Sequence, residues 1–180
     1  MSVEILSSQV DSIRAEAART SASYTSQARS IDADTSLSAE GKAAAKVEVN
    51  ANAKEQLRAL RQKENDAINM KVRDLEKQLD SKMGNTASDI IAFRDAQDRA
   101  ERFEKPEDAV RALERAIRTD DTALAHAIFR RGIESGWRDV IATFGNEYPD
   151  KKPIVGDLAY LREAQTNTLG RGMNYMWIAQ

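Results

Sequence analysis

The feature that most constrains the fold is a proline-free stretch between Ser38 and Met83, which contains a single early glycine, Gly41. Ala, Lys, Glu, Gln and Arg dominate this stretch, and these residues favour helices. A helix over its whole length would reach roughly 70 Å at about 1.5 Å per residue, which exceeds what a small globular domain needs. The sequence therefore predicts a rod-like helix that extends the protein over a long distance or takes part in its assembly.

A second amphipathic helix precedes the rod, over about residues 3–30. One stripe recurs along it at steps of four and three residues, as in a coiled-coil seam. Its members are Leu6, Val10, Ile13, Ala17, Thr20, Tyr24, Gln27 and Ile31. Turn and cap residues separate the two helices; Ser38 is the predicted N-cap of the rod, with Asp34 or Ser36 as alternatives. Because a short connection between amphipathic helices favours an antiparallel pair, residues 1–84 are predicted to form a long helical hairpin.

The remaining residues, 85–180, hold all the aromatic side chains except Tyr24 and all three prolines. Helix starts are marked there by Thr86 or Ser88, by Pro106 and by Asp120-Asp121. Apolar residues at helical spacing predict about five short helices, and no stretch indicates a strand. The predicted fold class is all-α: a long, coiled-coil-like N-terminal helical hairpin followed by a small, compact multi-helix domain with an apolar C-terminal tail.

Two features are candidates for contact with a protein partner. The most regular apolar seam lies in the distal half of the rod, and the C-terminal tail concentrates aromatic and large apolar residues. The seam consists of Ile68, Val72, Leu75 and Leu79, and the tail contributes Tyr175, Met176, Trp177 and Ile178. Trp, Tyr and Met are frequent interface anchors, so the tail is interpreted either as a partner anchor or as a segment that folds back to seal the helical domain.

No constellation of residues indicates catalysis. The absence of cysteine excludes disulfides and thiolate chemistry. His126 is the sole histidine and is interpreted as structural, while Asp95, Asp98 and Glu101 lie beside arginines at helical spacing, which is typical of a solvated ion-paired face. Gly170-Arg171-Gly172 follows no strand and is predicted to be a hinge after the last helix. We therefore expect no enzyme activity and no catalytic, cofactor-binding or metal-binding residues.

The charge pattern bears on nucleic-acid and membrane partners. The formal net charge is −2, and the basic residues of the rod are interleaved with acids and not with aromatic residues. A solvated helix face is the preferred interpretation, and nucleic-acid binding by the rod is the alternative. No apolar run approaches the length of a membrane span, and the N-terminus lacks the pattern of a signal peptide. The sequence thus predicts a soluble protein made in the cytoplasm, without a membrane partner.

The stretch Ile31-Asp-Ala-Asp-Thr-Ser-Leu-Ser-Ala-Glu-Gly-Lys42, followed by the rod, resembles small helical proteins from the structural gene modules of tailed bacteriophages. An opening of the form D-x-S-L-S-x-E-G-K to a long helix recurs in those proteins, and the resemblance covers residues 31–82. It implies a non-enzymatic virion or assembly role with no catalytic residues to transfer.

The leading hypothesis is a multi-copy or homo-oligomeric phage structural protein that contacts capsid, portal or neck subunits, or itself, and is located in the virion and the host cytoplasm. Two alternatives stay open. One is a scaffolding protein that leaves after assembly, and the other is a cytoplasmic nucleic-acid-associated or regulatory helical protein.

Overall fold

A computed structural model describes residues 3–80 and 86–176 of the chain, apart from the side chains of Asp80 and Thr168. The described residues form eight α-helices and one 3-10 turn and contain no strand, which confirms the predicted all-α fold class. The helices are α1 (Val3–Ala33), α2 (Ala39–Asp80), α3 (Ala87–Glu101), α4 (Pro106–Arg118), α5 (Thr122–Ser135), α6 (Arg138–Glu147), α7 (Lys152–Thr166) and α8 (Thr168–Gly172), and the 3-10 turn is Met173–Tyr175.

The chain divides into two units, and one of them is discontinuous in sequence. Unit 1 comprises Met1–Lys71 together with Asn167–Gln180, and unit 2 is Val72–Thr166. This division differs from the predicted boundary at residues 84–85, because the last part of α2 belongs to unit 2 and the C-terminal residues belong to unit 1. A helix can contribute its apolar face to different cores along its length, so the extent of a helix does not locate a domain boundary.

In unit 1, α1 and the first part of α2 form the antiparallel hairpin that the sequence predicts. Asp32 pairs with Lys46 at 2.5 Å near the turn, whereas Arg14 pairs with Glu64 further along. The residue number of the partner on α2 increases as that of the partner on α1 decreases, as expected for antiparallel helices. Ser38 caps α2 as predicted, since its Oγ accepts a hydrogen bond of 3.1 Å from the backbone N–H of Gly41.

The predicted seam of α1 is buried in its first half and weaker in its second. Leu6, Val10, Ile13, Ala17 and Tyr24 are buried. Further on, Gln27 is exposed and the neighbouring Ala28 is half-buried in its place, because a polar amide gains nothing from leaving water. The helix continues to Ala33, three residues beyond its predicted end.

Unit 2 is built around α5, which packs against α3, α4, α6 and α7. The rings of Phe129 and Phe144 stack at 4.3 Å between centroids in its core. α5 and α6 approach closely at Gly132, where a Cβ atom would lie only 2.6 Å from Cγ1 of Val140. Gly136 ends α5 with φ of 69°, a left-handed conformation that glycine adopts without strain.

The helix starts of unit 2 lie where the sequence predicts them. Thr86 forms a capping box with Asp89, and Pro106 occupies the first turn of α4. The side chain of Asp121 accepts a hydrogen bond of 3.0 Å from the backbone N–H of Leu124 at the start of α5. The predicted end of the rod at Gly84-Asn85 lies outside the described residues.

Candidate protein-contact site

A carboxylate lies in the seam of the hairpin. Glu64 follows Leu60 by four residues and precedes Ile68 by four, so the helical repeat of α2 places it on the inner face. Its side chain has no exposed surface. A buried carboxylate is tolerated only when charged or hydrogen-bonding partners replace water, so the surroundings of Glu64 must supply them.

Three side chains supply those partners. From α1, Arg14 donates to Glu64 through Nη2 at 3.0 Å and Nε at 3.3 Å. From α8, Arg171 donates through Nε at 2.8 Å, and the Tyr175 hydroxyl donates to Oε2 of the same carboxylate. Arg171 also donates through Nη2 to Oδ1 of Asn65 at 2.5 Å. We call these five residues the Glu64 cluster.

The electrostatics of the cluster favour the ionised carboxylate. Burial by itself would raise the pKa of Glu64, but hydrogen bonds from Arg14, Tyr175 and Arg171 outweigh that effect and lower the pKa below its ordinary value. Burial and the hydrogen bond to Glu64 raise the pKa of the Tyr175 phenol, so it stays a donor. The hydrogen bond to Glu64 raises the pKa of Arg14. Glu64 is therefore held as an anion between two cations.

The Glu64 cluster fastens the last described part of the chain to the hairpin. We call Asn167–Met176 the terminal segment. Its Tyr175 ring packs in an apolar cluster with Ile13, Ala17, Leu57 and Leu60. The terminal segment thus folds back onto the hairpin of its own unit, whereas the interpretation drawn from the sequence was that the tail seals the helical domain.

The opposite side of the terminal segment is apolar and exposed. Leu169, Met173 and Met176 recur at steps of four and three residues, and their exposed fractions are 86, 71 and 62%. We call these three residues the terminal apolar face. Arg171 is the only charged side chain between Ala164 and Gln180, and it is turned inward to Glu64 with 14% of its side chain exposed. Exposed large apolar side chains that lie close together in the sequence are typical of a protein contact.

The turn end of the hairpin is poorly covered as well. We call residues 22–52 the hairpin tip. Tyr24 is its only buried residue, whereas the seam residues Ala28, Ile31, Ala45 and Val49 are half-buried. On its outer side, α1 presents a shallow open groove of mostly small side chains, formed by Ala22, Thr25, Ser26, Arg29, Ser30 and Ala33. The hairpin tip is therefore a pair of helices whose apolar seam is only partly buried. Further helices packed against it would complete a core.

The predicted partner-contact residues fall into three groups. Ile68 lies inside unit 1, and Val72, Leu75 and Leu79 lie inside unit 2, all at most 4% exposed, so the described chain covers this seam itself. Tyr175 is buried in the apolar cluster of the hairpin, whereas Met176 is exposed. Trp177 and Ile178 lie outside the described residues. A role of these positions in partner binding stays a prediction.

Sequence reasoning missed the Glu64 cluster for an identifiable reason. The interleaved acids and bases of the rod predict a solvated face, but the spacing of Glu64 from Leu60 and Ile68 places it in the seam. Arg171 was assigned to a hinge, and this prediction is wrong: Gly170-Arg171-Gly172 is helical, and the side chain of Asn167 caps this helix at the backbone N–H of Gly170. The pairing of Arg171 with Glu64 spans too much of the chain for local sequence to reveal it.

His126 is a core residue of unit 2, as the structural interpretation predicts. Its exposure is 4%, its ring meets that of Phe144 edge-on at 5.1 Å, and its Nε2 lies 2.8 Å from Nζ of Lys151. Burial, together with the positive charges of Lys151 and Arg130, lowers the pKa of His126 to about 4. The neutral imidazole therefore accepts a hydrogen bond from the lysine at neutral pH.

Within residues 3–80 and 86–176, no three His, Cys, Asp or Glu side chains are grouped so that they could hold a metal ion. None of the described helices combines the length and the apolar character that crossing a membrane requires. Comparisons with family models, with curated proteins and with solved structures find no match for this chain.

Proposed function

We propose that this chain is a non-enzymatic structural or assembly protein of a tailed phage particle, present in several copies and acting through helix-mediated protein contacts. Its partners would be capsid, portal or neck subunits, or further copies of the chain. The observation that carries the proposal is the hairpin tip, a helical pair whose 31 residues include one buried side chain, Tyr24.

The physical argument concerns what stabilises such a pair. Helices in proteins owe most of their stability to the packing of an apolar face and little to intrinsic propensity. In the hairpin tip, an ion pair between Asp32 and Lys46 and a hydrogen bond of 2.7 Å from Lys42 Nζ to the Asp32 carbonyl hold the helices together at the surface. Exposed ion pairs contribute at most about 1 kcal/mol each. Packing against helices of another subunit would bury Ala28, Ile31, Ala45 and Val49 and supply the missing stabilisation.

The phage assignment rests on the resemblance of residues 31–82 to helical proteins of phage structural modules. The hairpin turn and the hairpin tip contain the most specific part of that resemblance, the stretch Asp34–Lys42. In this assignment the motif marks the end of the hairpin that is presented to partner subunits.

Particle association tests the assignment directly. Phage particles are purified from the host culture in mature and immature form, and the chain is quantified by mass spectrometry relative to the major capsid subunit. We expect several copies in mature particles. Presence in immature particles alone would identify a scaffolding protein, and absence from both forms would refute the proposal. Salt-dependent DNA binding by the purified protein would favour the nucleic-acid-associated alternative instead.

A matched pair of variants tests the hairpin tip. Val47 is 70% exposed in the hairpin tip, and Ile91 is 68% exposed on α3 of unit 2. Val47→Glu is expected to reduce incorporation into particles while the thermal midpoint stays unchanged, because the side chain is solvated in the isolated protein. Ile91→Glu is the control and is expected to leave incorporation unchanged. Equal incorporation of both variants would exclude the hairpin tip as the contact.

A further inference from the structure

We propose that the terminal segment is swapped between two copies of this chain, so that the segment of each copy occupies the hairpin of the other. The inference rests on the proposed multi-copy role and names a contact that would join the copies. The receiving surface is the inner side of the hairpin around Glu64. Its ligand is defined in chemical terms, because the terminal segment of the same chain already occupies it.

Two groups that lie four residues apart define this ligand. The Nε of Arg171 donates to Glu64 at 2.8 Å, and the hydroxyl of Tyr175 donates to the other oxygen of the same carboxylate. Residues at this spacing lie on one face of a helix. The Tyr175 ring also packs against Ile13 and Leu57 in the apolar cluster of the hairpin. The hairpin therefore receives a helical turn that carries a guanidinium group and a phenol.

This pair of groups occurs once in the chain. Of the four tyrosines, only Tyr175 has an arginine four residues before it. Arg171 is also the only charged residue between Ala164 and Gln180, and the buried carboxylate of Glu64 is its counter-ion. A second copy therefore offers the hairpin the same donors at the same spacing, which identifies the terminal segment of that copy as the partner.

The path of the chain is suited to a swap. The whole of unit 2, residues 72–166, lies between the two parts of unit 1. One non-helical residue, the exposed Asn167, joins α7 to α8 at the start of the terminal segment. A swap between copies forms the same contacts as the unswapped arrangement, and short hinges favour it.

The concentration of neighbouring copies decides between the two arrangements. Because the contacts are the same, the balance depends on the effective concentration of the tethered segment, which is in the mM range for a short connection. At micromolar concentration the hairpin holds the segment of its own chain. Several copies gathered in one particle reach the local concentration at which segments swap.

A mixture of two full-length variants tests the inference. Glu64→Gln damages the hairpin of one copy, and Arg171→Gln damages the segment of the other. A swap between them restores one intact pair of Glu64 and Arg171, so the heterodimer should have a dissociation constant about tenfold to a hundredfold below that of the wild-type dimer. One chain carries a heavy nitrogen isotope, and native mass spectrometry at about 200 µM of each chain measures the heterodimer.

Each variant mixed with the wild type is the matched control, because a swap in those mixtures creates no additional intact pair. Far-UV circular dichroism verifies that each variant keeps its helices. Asn65→Ala mixed with Arg171→Gln is a second complementary mixture, in which a swap restores the hydrogen bond of 2.5 Å from Arg171 Nη2 to Asn65 Oδ1. Its gain should be smaller, because the acceptor is neutral. The second mixture decides the outcome if Glu64→Gln loses its helical signal.

The failure of this inference is separable from the failure of the proposed function. A heterodimer that is no more abundant in the deciding mixture than in the controls overturns the inference. In that case the presence of the chain in phage particles would still support the assembly role through the hairpin tip. An excess of heterodimer over the controls, together with absence of the chain from particles, would support the inference and refute the proposed function.

Discussion

At the residue scale, Glu64 shows how a single buried charge can join two distant parts of a chain. Its carboxylate has no access to water, so Arg14, Arg171 and Tyr175 replace the hydrogen bonds that water would make. Removing one partner of a buried pair is more damaging than the attraction alone suggests, since the remaining charges stay buried without compensation. Substitutions in the Glu64 cluster are therefore expected to destabilise unit 1.

Glu64→Gln is predicted to lower the free energy of unfolding by about 3 kcal/mol, because it leaves two guanidinium groups facing a neutral amide. Urea unfolding followed by circular dichroism measures the loss. Glu55→Gln on the exposed side of α2 is the control and should change stability by less than about 0.5 kcal/mol. A loss for Glu64→Gln no larger than that of Glu55→Gln would contradict this account of the cluster.

The lowered pKa of Glu64 also fixes the sign of its effect on acid stability. The contribution of this carboxylate is present above the ordinary glutamate pKa of 4.5 and is lost as the pH falls through the lower folded-state value. The free energy of unfolding of the wild type should therefore fall more steeply than that of Glu64→Gln over this acid range. Parallel urea titrations at several pH values compare the two slopes, and equal slopes would argue against an ionised Glu64 in the folded chain.

His126 is predicted to make unit 2 sensitive to mild acid. Its pKa is about 4 in the folded chain against an ordinary 6.5, so between these values only the unfolded chain binds the proton. Stability should consequently fall by up to about 3 kcal/mol as the pH drops from 6.5 to 4. His126→Gln keeps an acceptor for Lys151 but cannot titrate there, and its unfolding free energy should vary less with pH in this window. Identical pH profiles would refute the assignment.

At the element scale, local sequence was informative about helix starts and uninformative about helix partners. Ser38, Thr86 and Asp121 cap their helices as predicted, because a cap is a contact between a side chain and backbone three residues on. The terminal segment was misjudged for the opposite reason. Its glycines predict a break, but the side chain of Asn167 and the contacts with Glu64 stabilise a short helix, and those contacts depend on a part of the chain far away in sequence.

The seam of α2 shows the same limit. Ile68, Val72, Leu75 and Leu79 were correctly placed on one helical face, and all four are buried. Apolar periodicity predicts that a helical face is buried, but it does not predict which residues bury it. For this reason the sequence could predict the hairpin and its seam but not the division at Lys71 and Val72 or the position of Glu64 opposite Arg171.

Two glycines in helices of unit 2 allow a matched test of helix packing. Gly132→Ala should destabilise the protein by about 1–3 kcal/mol, because the added Cβ would lie 2.6 Å from Val140 Cγ1. Gly156→Ala in α7 should stabilise it by about 0.5–1 kcal/mol, because nothing lies within 4 Å of the added carbon and alanine favours a helix. Thermal or urea unfolding measures both changes. Opposite signs are expected, and a neutral Gly132→Ala would mean that α5 and α6 separate easily.

At the scale of the whole molecule, the two units should respond separately to loss of the terminal segment. Deleting residues 167–180 removes Arg171 and Tyr175, which leaves Glu64 with Arg14 alone and uncovers Ile13 and Leu57. Hydrogen exchange should then accelerate in residues 3–71 and stay unchanged in residues 87–166. Deleting only residues 177–180 keeps both contacts, so exchange in residues 3–71 should accelerate less than it does in the longer deletion. Acceleration confined to residues 87–166 would contradict the assignment of the terminal segment to unit 1.

The discontinuity of unit 1 has a consequence for biosynthesis. A ribosome releases α1 and most of α2 first, then all of unit 2, and only afterwards Arg171 and Tyr175, which complete the set of partners of Glu64. Unit 2 is contiguous and can complete its fold while translation continues, whereas the hairpin waits with an incompletely compensated carboxylate. The hairpin is thus made before unit 2 but completed after it. A chain truncated before α8 would lack Arg171 and Tyr175, and the resulting defect would lie at Glu64 in the hairpin.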